Sequence, residues 1–248
     1  VNDPTVTLNV SGLNSNTTYH YRILAGNGCN SAYASGNLTT ACAAFTPTFT
    51  ENFATYVPTC WSEMTGYLNN ASILTGTSSA WVADGWLNSG STGAARINLF
   101  TTGKRDWLIS PPIDLGLAGN YQLEFDLATL QFASTTTASV LGSDDSLAVV
   151  ISTDNGATWT TANILSTWTA ANTPVSASGL HVTLPLTSYT GVVKIGFYGS
   201  EGAVDDPQDV DVMIDNVIIQ AVPNCGNING LAASNVTATT ADLNWTAT

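Results

Sequence analysis

The chain has 248 residues, 44% of them hydrophobic and only 9% charged, with a formal net charge of −13. That much apolar material fills a large core, yet no apolar run approaches the roughly 18 residues of a membrane helix. So strong an acid surplus repels phosphate backbones and anionic lipid surfaces, which excludes nucleic acid as an expected partner and favours metal cations or uncharged sugars.

The sequence opens on Val1, inside a strand-like run and without a secretion signal, and reads as a mature or excised piece of something longer. In LNSNTTYHYRILA, residues 13 to 25, Tyr19, Tyr21, Ile23 and Ala25 alternate, and the Cys-bearing GNGCNSAYASGNLTTAC follows. The stretches FTENFATYVPTCW, WVADGWLNSGSTGAARINL and RDWLISPPIDL come next. In the last of these, Pro111 and Pro112 lack N–H donors and suit an edge or a bend.

From residue 121 the alternation is regular. Tyr121, Leu123, Phe125 and Leu127 share a face, with Gln122, Glu124 and Asp126 opposite. Leu147, Val149 and Ile151 form a second inward set, Leu180, Val182, Leu184 and Leu186 a third, and Val193, Ile195 and Phe197 a fourth. In DVDVMIDNVII, residues 209 to 219, parity sends Val210, Val212, Ile214 and Ile218 inward with Asn216 in their register, and Asp209, Asp211 and Asp215 outward. Turn-forming Gly, Asn, Asp, Ser and Pro separate these runs. The fold class is therefore all-β, a sandwich or jelly roll of many short strands. The chain closes on GLAASNVTATTADLNW.

The four Cys stand at positions 29, 42, 60 and 225, none in a CxxC pair, which argues against a zinc ribbon and for an oxidising setting. Cys29 and Cys42 are close enough to bridge neighbouring strands. Cys60 with Cys225 is then the leftover pair, and three connectivities are formally possible.

Two resemblances organise the chain. Residues 1–43 resemble the second half of a fibronectin type III module, with Tyr19 as its corner tyrosine, and residues 223–248 resemble the first half of another, with Trp245 as its core tryptophan. Between them, residues 44–222 resemble the MAM-like jelly rolls of the choice-of-anchor J and cleaved-adhesin type, most specifically in WLISPPIDL and IDNVII. Such domains occur in surface and secreted proteins of Bacteroidetes, often exported by the type IX system. The resemblance implies a secreted or cell-surface location. It also implies a structural calcium ion clamping first strand to last, with Glu51 and Asp215 as principal ligands and Asp106, Asp84 and Asn216 completing the shell. A buried carboxylate with few cations to pair with needs such a partner. The DSL tripeptide makes Ser146 a candidate O-glycosylation position, and Asn70 opens an N-x-S sequon.

STDNGATW, residues 152 to 159, fits the Asp-box, a folding device in which Asp154 binds turn backbone, Gly156 takes positive φ and Trp159 packs over the hairpin. Trp86 and Trp168 sit in polar, loop-like surroundings and are the candidates to stack on a sugar ring. His20 lies in the fibronectin-like piece, and His181 alternates outward with no carboxylate or nucleophile beside it in sequence. Asp144–Asp145 and Asp205–Asp206 fall on turn-like segments. No nucleophile elbow or zinc-protease motif occurs, so catalysis is not expected. The expected function is a non-catalytic adhesin or filament segment binding carbohydrate or protein. Alternatives are an accessory targeting module of a secreted hydrolase and a self-assembling structural subunit.

Overall fold

Strands form wherever the sequence alternates, and pairing sorts them into two stacked sheets and two separate hairpins. A computed structural model describes residues 7–24, 32–69, 74–117, 119–174, 176–223 and 229–246. The strands in chain order are β1 (Thr18–Ile23), β2 (Ala34–Thr39), β3 (Phe49–Glu51), β4 (Ser62–Thr65), β5 (Trp81–Asp84), β6 (Ala94–Leu99), β7 (Arg105–Ile109) and β8 (Ile113–Asp114). They continue as β9 (Tyr121–Gln131), β10 (Ser146–Ser152), β11 (Ile164–Thr169), β12 (Leu180–Pro185), β13 (Val192–Ser200), β14 (Val210–Ala221), β15 (Asn229–Ser234) and β16 (Asp242–Thr246). The first six-stranded sheet runs β11-β10-β13-β7-β4 with β8 also on β13; the second runs β12-β9-β14-β6-β5 with β3 also on β14. The protein is thus an all-β sandwich of antiparallel sheets, and its first and last sandwich strands, β3 and β14, lie side by side.

Leu123, Phe125, Leu127, Leu147, Val149, Ile151, Val193, Ile195 and Phe197 all point into one core between the sheets and are fully buried. Each such side chain contributes about 1.5–3 kcal/mol of apolar burial. Leu180 departs from its set: at the start of β12 it is 45% exposed. A second apolar layer, not visible in the alternation, covers the far face of the first sheet. There Trp107, Ile109, Ala148, Val150, Trp159 and Tyr198 pack together. The Asp-box supplies Trp159 to this layer. Asp154 Oδ1 accepts from Thr158 N at 3.0 Å, and Gly156 sits at φ 85°. Gly196 lets the layer lie flat, because a Cβ there would come within 2.7 Å of the Trp159 ring.

Pro111 and Pro112 occupy the bend between β7 and β8, both of which pair with β13. The Ser110 hydroxyl accepts from Ile195 N at 2.9 Å across that gap.

The acid amid aliphatic neighbours in β14 has a backbone explanation. Asn216 takes φ 49°, and the register between β14 and β9 slips between Asp215 and Ile218. An asparagine in the left-handed region opens a bulge, which inserts one residue and reverses parity beyond it. Val217 and Ile219 therefore enter the core, while Ile218 does not, contrary to simple alternation.

The hairpins β1–β2 and β15–β16 expose their apolar side chains, among them Ile23 and Leu38 in the first and Leu231, Leu243 and Trp245 in the second. Asn14 N donates to Tyr19 Oη at 2.8 Å. Among the described residues, a disulfide joins Cys42 to Cys60, with Cα atoms 5.9 Å apart. This corrects both expected pairings. Cys42 lies beyond the end of β2, on the segment that leads to the sandwich, so its partner is the loop before β4 rather than its own hairpin. Cys29, Cys225 and Asn70 lie outside the described residues.

Candidate functional site

Alternation along β9 turns Gln122, Glu124 and Asp126 away from the core, and β12 and β14 bring three more polar side chains to the same outer face. His181 contacts Asp126 Oδ1 through Nδ1 at 2.8 Å and Glu124 Oε2 through Nε2 at 3.1 Å. Asn216 Nδ2 donates to Asp126 Oδ2 at 2.9 Å, and Gln220 Nε2 to Glu124 Oε1 at 2.7 Å. Gln122 also donates to Glu124. The hydrogen bond to Asp126 is the main cause that raises the pKa of His181, and the amides of Gln220 and Gln122 lower that of Glu124. Sequence distance hid this cluster. His181 has no acidic neighbour in the chain, and only the β12–β9 register puts it opposite Asp126.

Trp86 closes one end of this polar strip. The short 3-10 turn Trp86–Asn88 lies on the outer face of the second sheet, where Trp86 and Leu87 pack on Ala128, Leu130 and Met213. Gly179 makes room for the indole; a Cβ at that position would fall 2.5 Å from the ring. Asn88 pins the turn, its Nδ2 donating to Ser134 O at 2.8 Å and to Asp211 Oδ2 at 3.2 Å. Asp211 is buried and bound by Arg96 at 2.8 Å, and Arg96 also holds Asp84 at 2.6 Å. Trp86 stays half-buried, with a polar row beside it. Trp168 differs: it is 8% exposed and its ring meets Phe125 edge-on at 6.1 Å. Its strand, β11, turns the indole into the core, so Trp168 is corrected to a packing residue.

The expected calcium ligands separate into three places. Glu51, Asp215 and Asn216 come together where β3 meets the bulge of β14; Glu51 and Asn216 line a cleft of about 430 Å³ there. Asp215 is buried, and its pKa is pushed up to about 6, first by burial and then by the charges of Asp126 and Glu51. Its Oδ1 accepts from Asn216 N at 2.6 Å. These are hard oxygen donors suited to calcium. Asp106 and Asp84 do not join them. Asp106 sits on β7 of the other sheet, where burial raises its pKa, and Asp84 is neutralised by Arg96. A different acidic group forms at the loops: carboxylate oxygens of Asp144, Asp145 and Asp206 lie within 4.8 Å of one another. Backbone N–H groups already serve each of the three, among them Ala203 N on Asp144 at 2.7 Å and Gly142 N on Asp145 at 3.2 Å. Ser143 N donates to Asp206 Oδ2 at 2.5 Å. Ser146 opens β10, half-buried between Ser200 and Thr169. His20 lies in the first hairpin beside Asn37.

No family model matches the chain, and no curated protein matches it. Solved structures do align. The K1 cleaved adhesin domain of Lys-gingipain from Porphyromonas gingivalis W83 is 18% identical over 71% of this chain and 99% of that one, with a TM-score of 0.45. The K3 cleaved adhesin domain of the same protein is 19% identical over 67% of this chain and 94% of that one, with a TM-score of 0.39. A carbohydrate-binding module of the β-sandwich superfamily is 12% identical over 82% of this chain and 74% of that one, with a TM-score of 0.38. With every one of these scores below 0.5, the reading of the sites rests on the chain's own geometry.

Proposed function

We propose that the chain is a non-catalytic, extracellular binding segment, of the adhesin type, that holds a neutral carbohydrate on the outer face of its second sheet. The observation that carries this is the half-buried Trp86 indole at the end of the row Asp126, His181, Asn216, Glu124 and Gln220. An aromatic face takes the apolar side of a pyranose, and carboxylates and amides bond its hydroxyls. The chain's net charge of −13 places no penalty on a neutral ligand. On a neutral-glycan array, the chain is expected to bind a subset of sugars, and Trp86→Ala and Asp126→Ala are each expected to weaken the best of them by about tenfold or more. Equal binding by both variants, or no binding by the parent, defeats the proposal.

The same reading takes residues 1–43 and 223–248 as incomplete fibronectin-like modules around a jelly roll spanning 44–222, part of a longer surface or secreted protein. Two observations favour it: the apolar side chains left open on both hairpins, and the Asn14–Tyr19 hydrogen bond at a strand corner. It also includes a structural calcium ion between Glu51, Asp215 and the Asn216 side chain, where a buried acid faces other acids. Melting is expected to occur several degrees higher in millimolar calcium than in EDTA, with the gain lost in Asp215→Asn and kept in Asp206→Asn. Loss in Asp206→Asn alone moves the ion to the loop cluster, and no gain in the parent removes it.

A further inference from the structure

Five Lys and Arg side chains serve the whole chain, so each one without a partner is informative. Arg96 binds Asp84 and Asp211, Lys104 binds Glu201, Arg105 lies over the Tyr67 ring, and Arg22 over the Tyr33 ring. Lys194 alone has no ion pair, hydrogen bond or ring contact among the described residues. It is half-buried, and burial, with no acid to offset it, lowers its pKa. A strongly acidic protein leaves one ammonium unpaired in a partly dry place.

That place is a cleft of about 490 Å³ beside β4, the edge strand of the first sheet, far in topology from the Trp86 face. Lys194 on β13 and Met64 on β4 line it from the outer face, and Glu63 from the opposite face of edge strand β4, with Val57 and Trp61 as further apolar wall. The Asp-box turn shapes the cation side. Gly156 packs on the Lys194 stem, and a Cβ there would press to 3.1 Å of its Cδ. Glu63 Oε1 accepts from the hydroxyls of Tyr56 at 2.7 Å and Ser79 at 3.1 Å, leaving its second oxygen without a hydrogen bond among the described residues. The Trp61 indole N–H is also buried without an acceptor.

We infer that this cleft binds a saccharide carrying a single carboxylate, such as a uronic acid. Lys194 takes the carboxylate, Glu63 accepts from ring hydroxyls, and Met64 and Val57 cover the apolar ring face. One negative charge on an otherwise neutral body is the form that fits. A polyanion would meet the −13 field of the whole chain, whereas one carboxylate meets one local ammonium. The two proposed sites lie on different sheets, so the failure of either leaves the other standing.

The test titrates the full chain with sodium glucuronate, glucuronamide, glucose and sodium acetate, following heat by calorimetry. Glucuronate is expected to bind at least about tenfold more tightly than each of the others, the scale of one charge-assisted hydrogen bond. Lys194→Met keeps the stem and is expected to lose that preference with its melting temperature unchanged, and Lys194→Arg to retain most of it. Equal binding of glucose and glucuronate overturns the inference, as does an unaltered preference in Lys194→Met. Acetate binding as tightly as glucuronate overturns the saccharide assignment, and so does a stronger response to an acidic tripeptide.

Discussion

Arg96→Met is expected to lower the unfolding free energy by about 3 kcal/mol in urea denaturation, the scale of removing one member of a buried charged pair. Asp211 has a side chain only 1% exposed, and Arg96 is the one cation bound to it among the described residues. Methionine keeps volume and stem but leaves Asp211 charged, buried and facing Asn88, Asn98 and the Ala133 N–H alone. Asp84 loses its partner in the same step. Arg96 links the two through different nitrogens, Nε to Asp84 and Nη1 to Asp211, so Arg96→Lys is expected to recover only part of the loss. The 3-10 turn bearing Trp86 hangs from Asp211 through Asn88, so sugar binding is expected to weaken along with stability. A midpoint unchanged in Arg96→Met would show that the network carries no net stability.

Opening the Cys42–Cys60 bridge, by reductant or by Cys42→Ser with Cys60→Ser, is expected to cost a similar amount. The loop it closes spans a sequence separation of 18, which in the chain-entropy account corresponds to about 3 kcal/mol. The loss falls on the start of the sandwich, because β3 is held by only three residue pairs to β14 and lies inside the closed loop. Thermal melts with and without reductant measure it. An equal melting temperature in both would mean that packing of Phe49, Phe53 and Trp61 alone fixes this segment.

Much of the sandwich was legible in the sequence because buried strands alternate and turns carry their own residue chemistry. Leu123, Phe125 and Leu127 needed nothing beyond parity. Parity failed at Asn216, where a positive φ adds a residue, so Ile218 and Val217 exchange faces. It also missed the second apolar layer, since parity puts Val150, between inward Val149 and Ile151, on the solvent side of its strand. The polar cluster of His181, Asp126 and Glu124 depends on cross-strand register, which one strand's sequence does not encode. Trp168 was misplaced because its polar neighbours belong to a half-buried edge strand rather than to a loop. The disulfide was misread because proximity along the chain favoured Cys29 for Cys42, while the fold carries Cys42 past its hairpin.

The bridge has a mechanical corollary. If the chain is pulled from both ends, tension arriving at Cys42 crosses the sulfur–sulfur bond to Cys60 and bypasses residues 43–59. The short β3 strand, which would otherwise peel from β14 first, then bears no load. Force enters instead next to β4 on one sheet and leaves through β14 on the other, so the interleaved apolar core must yield before the molecule lengthens.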